Sequence, residues 1–278
     1  MTNPIADPLV DNVDTDAHSD LVRIEATPEG VATITLNSPQ TKNAFDDRVI
    51  AALRQAFETM HGAEGVRIVF LRGEGGTFSA GANLEWMARA AELSEADNRD
   101  DAMAMAAMLK ALWDIPALTV AVVEGGAFGG GAGLAAACDV AIAVDSARFS
   151  FSEVRLGLVA ATISPYVVRA IGPRHARALF ATGRVFDAAH AEKIGLVSEV
   201  VAASDLEAVK ARLASEMMAA APGAVADSKR LVDDVFGRHV DHGLMETTAR
   251  RIAARRVSDE GQEGVRAFLA RRKPNWTG

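Results

Sequence analysis

The chain has 278 residues, 37 acidic against 29 basic, giving a formal net charge of −8 and a pI near 5.3. At 29.3 kDa, with 49% apolar and 24% charged residues, it is long enough to bury a large core and has an ordinary globular balance. An acidic body without a basic stripe argues against a nucleic-acid backbone as the main partner. The single cysteine, Cys138, excludes an intrachain disulfide and speaks against an extracellular scaffold.

Residues 1–20 hold Asp7, Asp11, Asp14, Asp16 and Asp20 and no Lys or Arg. That segment lacks the basic start and apolar run of a secretory leader and reads as a disordered acidic tail. Two short alternating stretches follow, Leu21–Ala26 and Val31–Leu36, joined through Pro28-Glu29-Gly30 as a hairpin. Asp46 is placed to cap a helix whose apolar positions are Val49, Ala52, Leu53, Ala56, Phe57 and Met60. Val66–Leu71 predicts a buried strand, and Gly73 to Gly81 a Gly-rich loop. Ser94 opens a helix that runs to about Trp113, where Asp114 and Pro116 stop it.

Leu118–Val123 predicts the next strand. The uncharged stretch from Gly125 to Cys138 follows, 14 residues long. It is too short for the roughly 20 apolar residues of a membrane span. A short helix is expected from near Gly131 to Cys138, then a strand over Asp139–Val144. From Thr162 onward the pattern is helical, broken by one strand at Leu196–Val201, and the end is Arg-rich. The expectation is a cytoplasmic α/β protein. Residues 21–200 form its α/β core and 201–278 a helical C-terminal region.

Several chemistries have no motif here. There is no G-x-G-x-x-G after a strand, no P-loop and no G-x-S-x-G elbow. His239 and His242 have helical spacing but no third ligand, so no metal site is expected. Cys138, among alanines, reads as a buried inert thiol.

Three segments carry possible chemistry. Thr77-Phe78-Ser79-Ala80-Gly81-Ala82-Asn83-Leu84 is a small-residue loop entering a helix, and so is Gly125-Gly126-Ala127-Phe128-Gly129-Gly130-Gly131-Ala132-Gly133. Small residues let a ligand approach the backbone. N–H groups at a helix start carry partial positive charge. Two such loops brought together can bind one oxyanion between two N–H groups; tight helix–sheet packing is the alternative. The third segment, Phe149-Ser150-Phe151-Ser152-Glu153-Val154-Arg155-Leu156-Gly157-Leu158, sets a carboxylate in apolar company. Partial burial would raise the pKa of Glu153 and make it a usable acid/base. A salt bridge to Arg155 or a backbone cap would serve structure instead.

Together these segments resemble the enoyl-CoA hydratase/isomerase (crotonase) superfamily over about residues 20–278. The resemblance rests on Asn43-Ala44-Phe45, Phe78-Ser79-Ala80-Gly81-Ala82, the 125–139 run ending Ala137-Cys138-Asp139, and Arg271-Arg272-Lys273-Pro274-Asn275-Trp276. It implies a spiral of ββα units with a helical C-terminal region, assembled as a homotrimer or homohexamer. It implies an oxyanion hole from the backbone N–H groups of Ala82 and Gly130, acting on an acyl-CoA thioester. Coenzyme A is then part of the substrate and no separate cofactor is expected. Lys42, Ala80, Asn83 and Leu84 are implied CoA-site residues, and Phe268 and Arg271 would reach the CoA of a neighbouring subunit.

Typical hydratases of the family carry two glutamates. The second matches Glu153, but Gly133 stands at the place of the first. Two enzymatic readings stay open. One is a hydratase using Glu153 alone. The stretch Ser152–Leu158, the stretch Ile163–Gly172 and Asn83-Leu84-Glu85-Trp86-Met87 resemble bacterial 3-methylglutaconyl-CoA and isohexenylglutaconyl-CoA hydratases. These point to a branched or carboxylated acyl group, and Glu85 or Glu124 could stand in for the missing carboxylate. The other reading is a Δ3,Δ2-enoyl-CoA isomerase, for which one carboxylate suffices. A non-catalytic acyl-CoA- or RNA-binding scaffold is the third reading, which the acidic charge and the retained carboxylate disfavour.

Overall fold

The computed structural model describes residues 20–277. The expected acidic tail therefore lies, but for Asp20, outside the described residues. The hairpin forms as its turn chemistry dictates. Strands β1 (Val22–Ala26) and β2 (Val31–Leu36) pair antiparallel, with Val22 opposite Leu36. Gly30 closes the turn at φ +89° and donates to the Thr27 carbonyl. Helix α1 (Asp47–Gly62) starts at Asp46, whose carboxylate accepts from the Val49 N–H. Its buried stripe is Val49, Ile50, Leu53, Ala56, Phe57 and Met60; Ala52 lies at the stripe's margin.

The next strands run parallel and follow the pattern of strands covered on both faces, nearly continuous apolar runs rather than alternation. They are β3 (Ile68–Gly73), β4 (Leu118–Val123) and β6 (Val140–Val144). Each starts up to two residues later than its sequence signal. With β9 (Glu199–Val201) they make a six-stranded sheet in the order β1-β2-β3-β4-β6-β9. Leu196 and Val197, expected at the start of that last strand, are instead buried in the turn before it.

A second, three-stranded sheet was not legible in the sequence. It consists of β5 (Gly126–Phe128), β7 (Arg148–Ser150) and β8 (Phe186–Asp187), with β7 in the centre. Its strands are two or three residues long, too short for any period to show. From Thr162 onward there are therefore two strands, β8 and β9, where one was expected.

Helices fill the connections. Helix α2 (Leu84–Ala90) and helix α3 (Glu95–Trp113) lie between β3 and β4, and α4 (Gly130–Ala137) between β5 and β6. Helix α3 packs against both α1 and α4. After β7 come α5 (Ser164–Thr182), interrupted at Gly172-Pro173, and α6 (Ala188–Lys193). The C-terminal region comprises α7 (Leu206–Ala219), α8 (Pro222–Val235), α9 (His242–Val257) and α10 (Asp259–Leu269).

Two half-buried cations fasten this region to the sheet. Arg67, just before β3, donates to the carbonyls of Met217, Ala220 and Trp276. Lys229 of α8 donates to the carbonyls of Ile115 and Ala117 and pairs with Asp139 at 2.7 Å. Both anchors sit where strands begin. The opposite edge, where the parallel strands end, is left to the Gly-rich loops.

Candidate active site

The two loops meet at the carboxyl ends of β3 and β4, held by a backbone ladder of their own. Phe78 N–H donates to the Glu124 carbonyl (2.9 Å), Ser79 N–H to Gly126 (3.0 Å), and Phe128 N–H returns to Ser79 (3.0 Å). On the other side, Ala80 N–H donates to Lys42 (2.9 Å), Phe45 N–H to Gly81 (2.7 Å), and Asn83 N–H to Phe45 (2.7 Å). The Ser79 hydroxyl closes the set, donating to the Asn43 carbonyl at 2.8 Å and accepting from the Gly81 N–H at 3.1 Å.

A full accounting of donors follows. From Phe78 to Asn83 every N–H has an acceptor among the described residues except that of Ala82. In the second loop Gly129 N–H donates to Ser150, whereas Gly130 N–H, the first of α4, has no acceptor. Gly81 brings the two orphans together. It stands at φ +85°, and a Cβ there would lie 2.7 Å from the Phe128 carbonyl oxygen, so only glycine lets the loops touch. The unpaired N–H groups of Ala82 and Gly130 thus stand on loops that touch at Gly81.

Glu153 reaches the same place from below β7. It opens a short 3-10 turn, Glu153–Leu156, whose position is set by Phe151, fully buried and edge-on to Phe180 with ring centroids 5.3 Å apart. The carboxylate lies against Gly129: Oε1 is 3.3 Å from where a Cβ of that residue would stand. Oε2 is buried with no hydrogen-bond partner. Burial pushes the Glu153 pKa up, opposed only by its own backbone N–H. The structural alternatives for this residue do not hold. Arg155 donates its Nε–H to the Gly183 carbonyl at 2.9 Å and does not pair with Glu153. The side chain does not cap the turn, and so stands free for chemistry.

The stand-ins for a second carboxylate do not reach this position. Glu124 faces Arg72 across 4.0 Å, and Glu85 is exposed on the first turn of α2. Arg155, turned to Gly183, supplies no cation for a distal acyl carboxylate in this arrangement.

The remaining expected ligand residues divide. Lys42 (φ +55°) and Ala80 are adjacent through their backbone bond, beside the hole. The Asn83 amide oxygen is committed to capping α2, accepting from Glu85 and Trp86 N–H groups at 2.8 and 3.1 Å. Leu84, the first residue of that helix, is 77% exposed. Phe268 is 82% exposed near the end of α10, and Arg271 follows it at φ +53° on the surface. Within the single chain neither is joined to the Glu153 site by any hydrogen bond or ion pair among the described residues.

Two residues matter more than the sequence reading foresaw. Asn43, 1% exposed, accepts from Ser38 N–H and donates to the Glu74 and Thr77 carbonyls, fixing the loop that leads to Ala82. Ser79 was read only as a small residue, yet its hydroxyl aligns Gly81. A polar residue inside a small-residue, Gly-containing run was the available signal for Ser79; Asn43, in a polar stretch, carried none of that kind.

Cys138 is buried, and burial pushes its thiol up, far from any reactive range. No helix among the described residues is long and apolar enough to cross a membrane.

Comparison with known proteins finds similar chains over nearly the whole length. A family model described as enoyl-CoA hydratase/isomerase matches residues 26–278. A Thermus thermophilus protein assigned as an enoyl-CoA hydratase is 35% identical over 247 residues, 88% of this chain and 97% of its own length. Among solved structures, a Legionella pneumophila protein assigned to the enoyl-CoA hydratase/isomerases (crotonases) superposes with a TM-score of 0.86 at 44% identity. It spans 92% of this chain and 98% of its own. An enoyl-CoA hydratase from Shewanella pealeana gives a TM-score of 0.90 at 35% identity, over 94% and 97% of the two chains.

Proposed function

Because the chain belongs to the enoyl-CoA hydratase/isomerase family and has its crotonase fold, we propose that it adds water across the α,β double bond of an enoyl-CoA thioester. One observation carries the reading: a buried carboxylate without a partner beside two backbone N–H groups without acceptors. The Glu153 carboxylate takes a proton from water while the hydroxyl oxygen bonds to C3. The π electrons move toward the thioester, whose oxygen becomes an enolate oxyanion facing Ala82 and Gly130. The enolate then collapses, and C2 takes the proton from the Glu153 carboxylic acid. One carboxylate thus serves both proton transfers. Each N–H of the hole is worth about 3 kcal/mol of barrier.

The raised pKa fits the task. A raised pKa makes the carboxylate a stronger base for taking the proton from water in the first step. Lys42 and the backbone at Ala80 hold the CoA, with Asn83 and Leu84 at the mouth. Phe268 and Arg271, exposed in one chain, complete the site of a neighbouring copy in a homotrimer or homohexamer. The acyl group is branched or carboxylated, of the 3-methylglutaconyl type, and the protein works in the cytoplasm without a further cofactor. The hydratase names of its relatives support the reaction type.

A second reading, Δ3,Δ2-enoyl-CoA isomerisation, is favoured by Gly133, whose place beside Ile163 leaves no room for a second carboxylate among the described residues. Mass analysis after incubation with crotonyl-CoA, 3-methylglutaconyl-CoA and a Δ3-enoyl-CoA separates the two. A product heavier by one water supports hydration. Unchanged mass with new conjugated-thioester absorbance from the Δ3 substrate alone overturns it in favour of the isomerase.

A further inference from the structure

Two glycines one turn apart, the N-cap Gly129 and Gly133, stand where α4 begins beside the carboxylate. Gly129 abuts Glu153. Gly133 follows four residues later, one turn along and on the same side, and its N–H donates to the Gly129 carbonyl. The residue that meets Gly133 is Ile163. A Cβ on Gly133 would overlap Ile163 Cγ2 and lie 2.7 Å from Ile163 Cβ. Ile163 is 2% exposed, at the start of α5, and the chain from Glu153 to Ile163 loops out and returns to α4 through apolar residues. Leu158 N–H donates to the Glu153 carbonyl, so this loop starts on the carboxylate's own turn.

We propose that Ile163 is a positioning residue for Glu153: seated over Gly133, it closes the α4 side of the site to water and to any second polar side chain. The proposal rests on Glu153 as the acid/base. The geometry leaves no room at Gly133 for a side chain while Ile163 keeps its place. The charged surroundings make burial, rather than ion pairing, the variable that Ile163 controls. Helix α4 carries no titratable residue. Helix α5 carries Tyr166, Arg169, Arg174, His175 and Arg177, and the Glu153 turn carries Arg155. Arg169 lies over the rings of Trp113 and Phe236, Arg155 is bonded to Gly183, and none of these pairs with Glu153.

The atoms in contact define the variants. Ile163→Val keeps Cβ and a γ-methyl over Gly133 and loses the δ-methyl, which lies at 3.7 Å. Ile163→Ala removes the γ-carbons and opens the space. Ile163→Thr keeps the shape of Val and puts a hydroxyl there.

The measurement is the pH dependence of kcat/KM on whichever thioester the wild-type enzyme turns over, with Tm recorded alongside. In Ile163→Ala the acidic limb moves down by roughly half a unit to one unit, as water reaches the carboxylate and lowers the burial cost of its charge. Ile163→Val keeps the wild-type limb. A folded Ile163→Ala enzyme with the wild-type limb, altered only in Tm or overall rate, overturns the proposal. Should Ile163→Ala fail to fold, Ile163→Thr takes its place: a limb below that of Ile163→Val sustains the proposal, and coincident limbs overturn it. If Glu153→Gln abolishes the limb in the wild-type background yet Ile163→Ala leaves it in place, only Ile163 is refuted. If Glu153→Gln leaves rate and limb intact, the acid/base reading itself has failed.

Discussion

Replacing Glu153 by Gln pulls activity and stability in opposite directions, and both effects follow from one buried atom. Gln has nearly the shape of Glu but cannot take up or return a proton. Loss of a positioned acid/base costs typically 10²- to 10⁴-fold in rate. The folded protein, by contrast, is relieved of a charge held against Gly129 with its Oε2 unpaired. Burial raises the Glu153 pKa above the ordinary 4.5. A raised carboxylate pKa means that ionisation favours the unfolded chain. The wild type therefore has this increment of stability in full below pH 4.5 and loses it as pH rises through the folded-state pKa. Each unit of elevation corresponds to about 1.4 kcal/mol at neutral pH. In a protein of this size each kcal/mol moves Tm by roughly 2 °C. Gln does not titrate, so the Tm advantage of Glu153→Gln over wild type is small near pH 5 and grows toward pH 8. Steady-state kinetics and thermal scans across that range measure both. A variant with the full wild-type rate, or a Tm difference of the same size at every pH, refutes the reasoning.

Other outcomes are equally specific. Gly81→Ala forces a side chain into φ +85° and against the Phe128 carbonyl, so the two donors part and kcat falls by 10-fold or more while the fold, read by circular dichroism, is retained. Asn43→Ala strips three hydrogen bonds from a residue 1% exposed and lowers stability by about 3 kcal/mol in urea titration, with kcat falling as the loop before Ala82 loosens. Cys138 reacts with a thiol reagent at the rate of global unfolding, since burial holds its thiol protonated; rapid labelling of the native protein would contradict its placement.

The residues that could be read from the chain alone are those whose signal is local. Asp46 and Ser94 announced their helices because a cap needs only its own turn. β4 and β6 announced themselves as apolar runs between turn residues. Two small-residue loops at helix starts and a carboxylate in apolar company marked the region, while Ala82 and Gly130 were singled out only by the family resemblance.

Other features depended on contacts between distant segments. Strands of two or three residues, such as β8, exist only because β7 offers them hydrogen bonds. Arg155 was a plausible partner for Glu153 by proximity in sequence, but it turned to a carbonyl 28 residues away. The empty place at Gly133 was visible in the sequence, but not its cause. No local pattern links position 133 to position 163, and only the packing of α5 on α4 shows that Ile163 already fills that space. Local steric and hydrogen-bond preferences are written in short stretches of chain. The closing of a cavity is decided by whichever side chains folding brings to it.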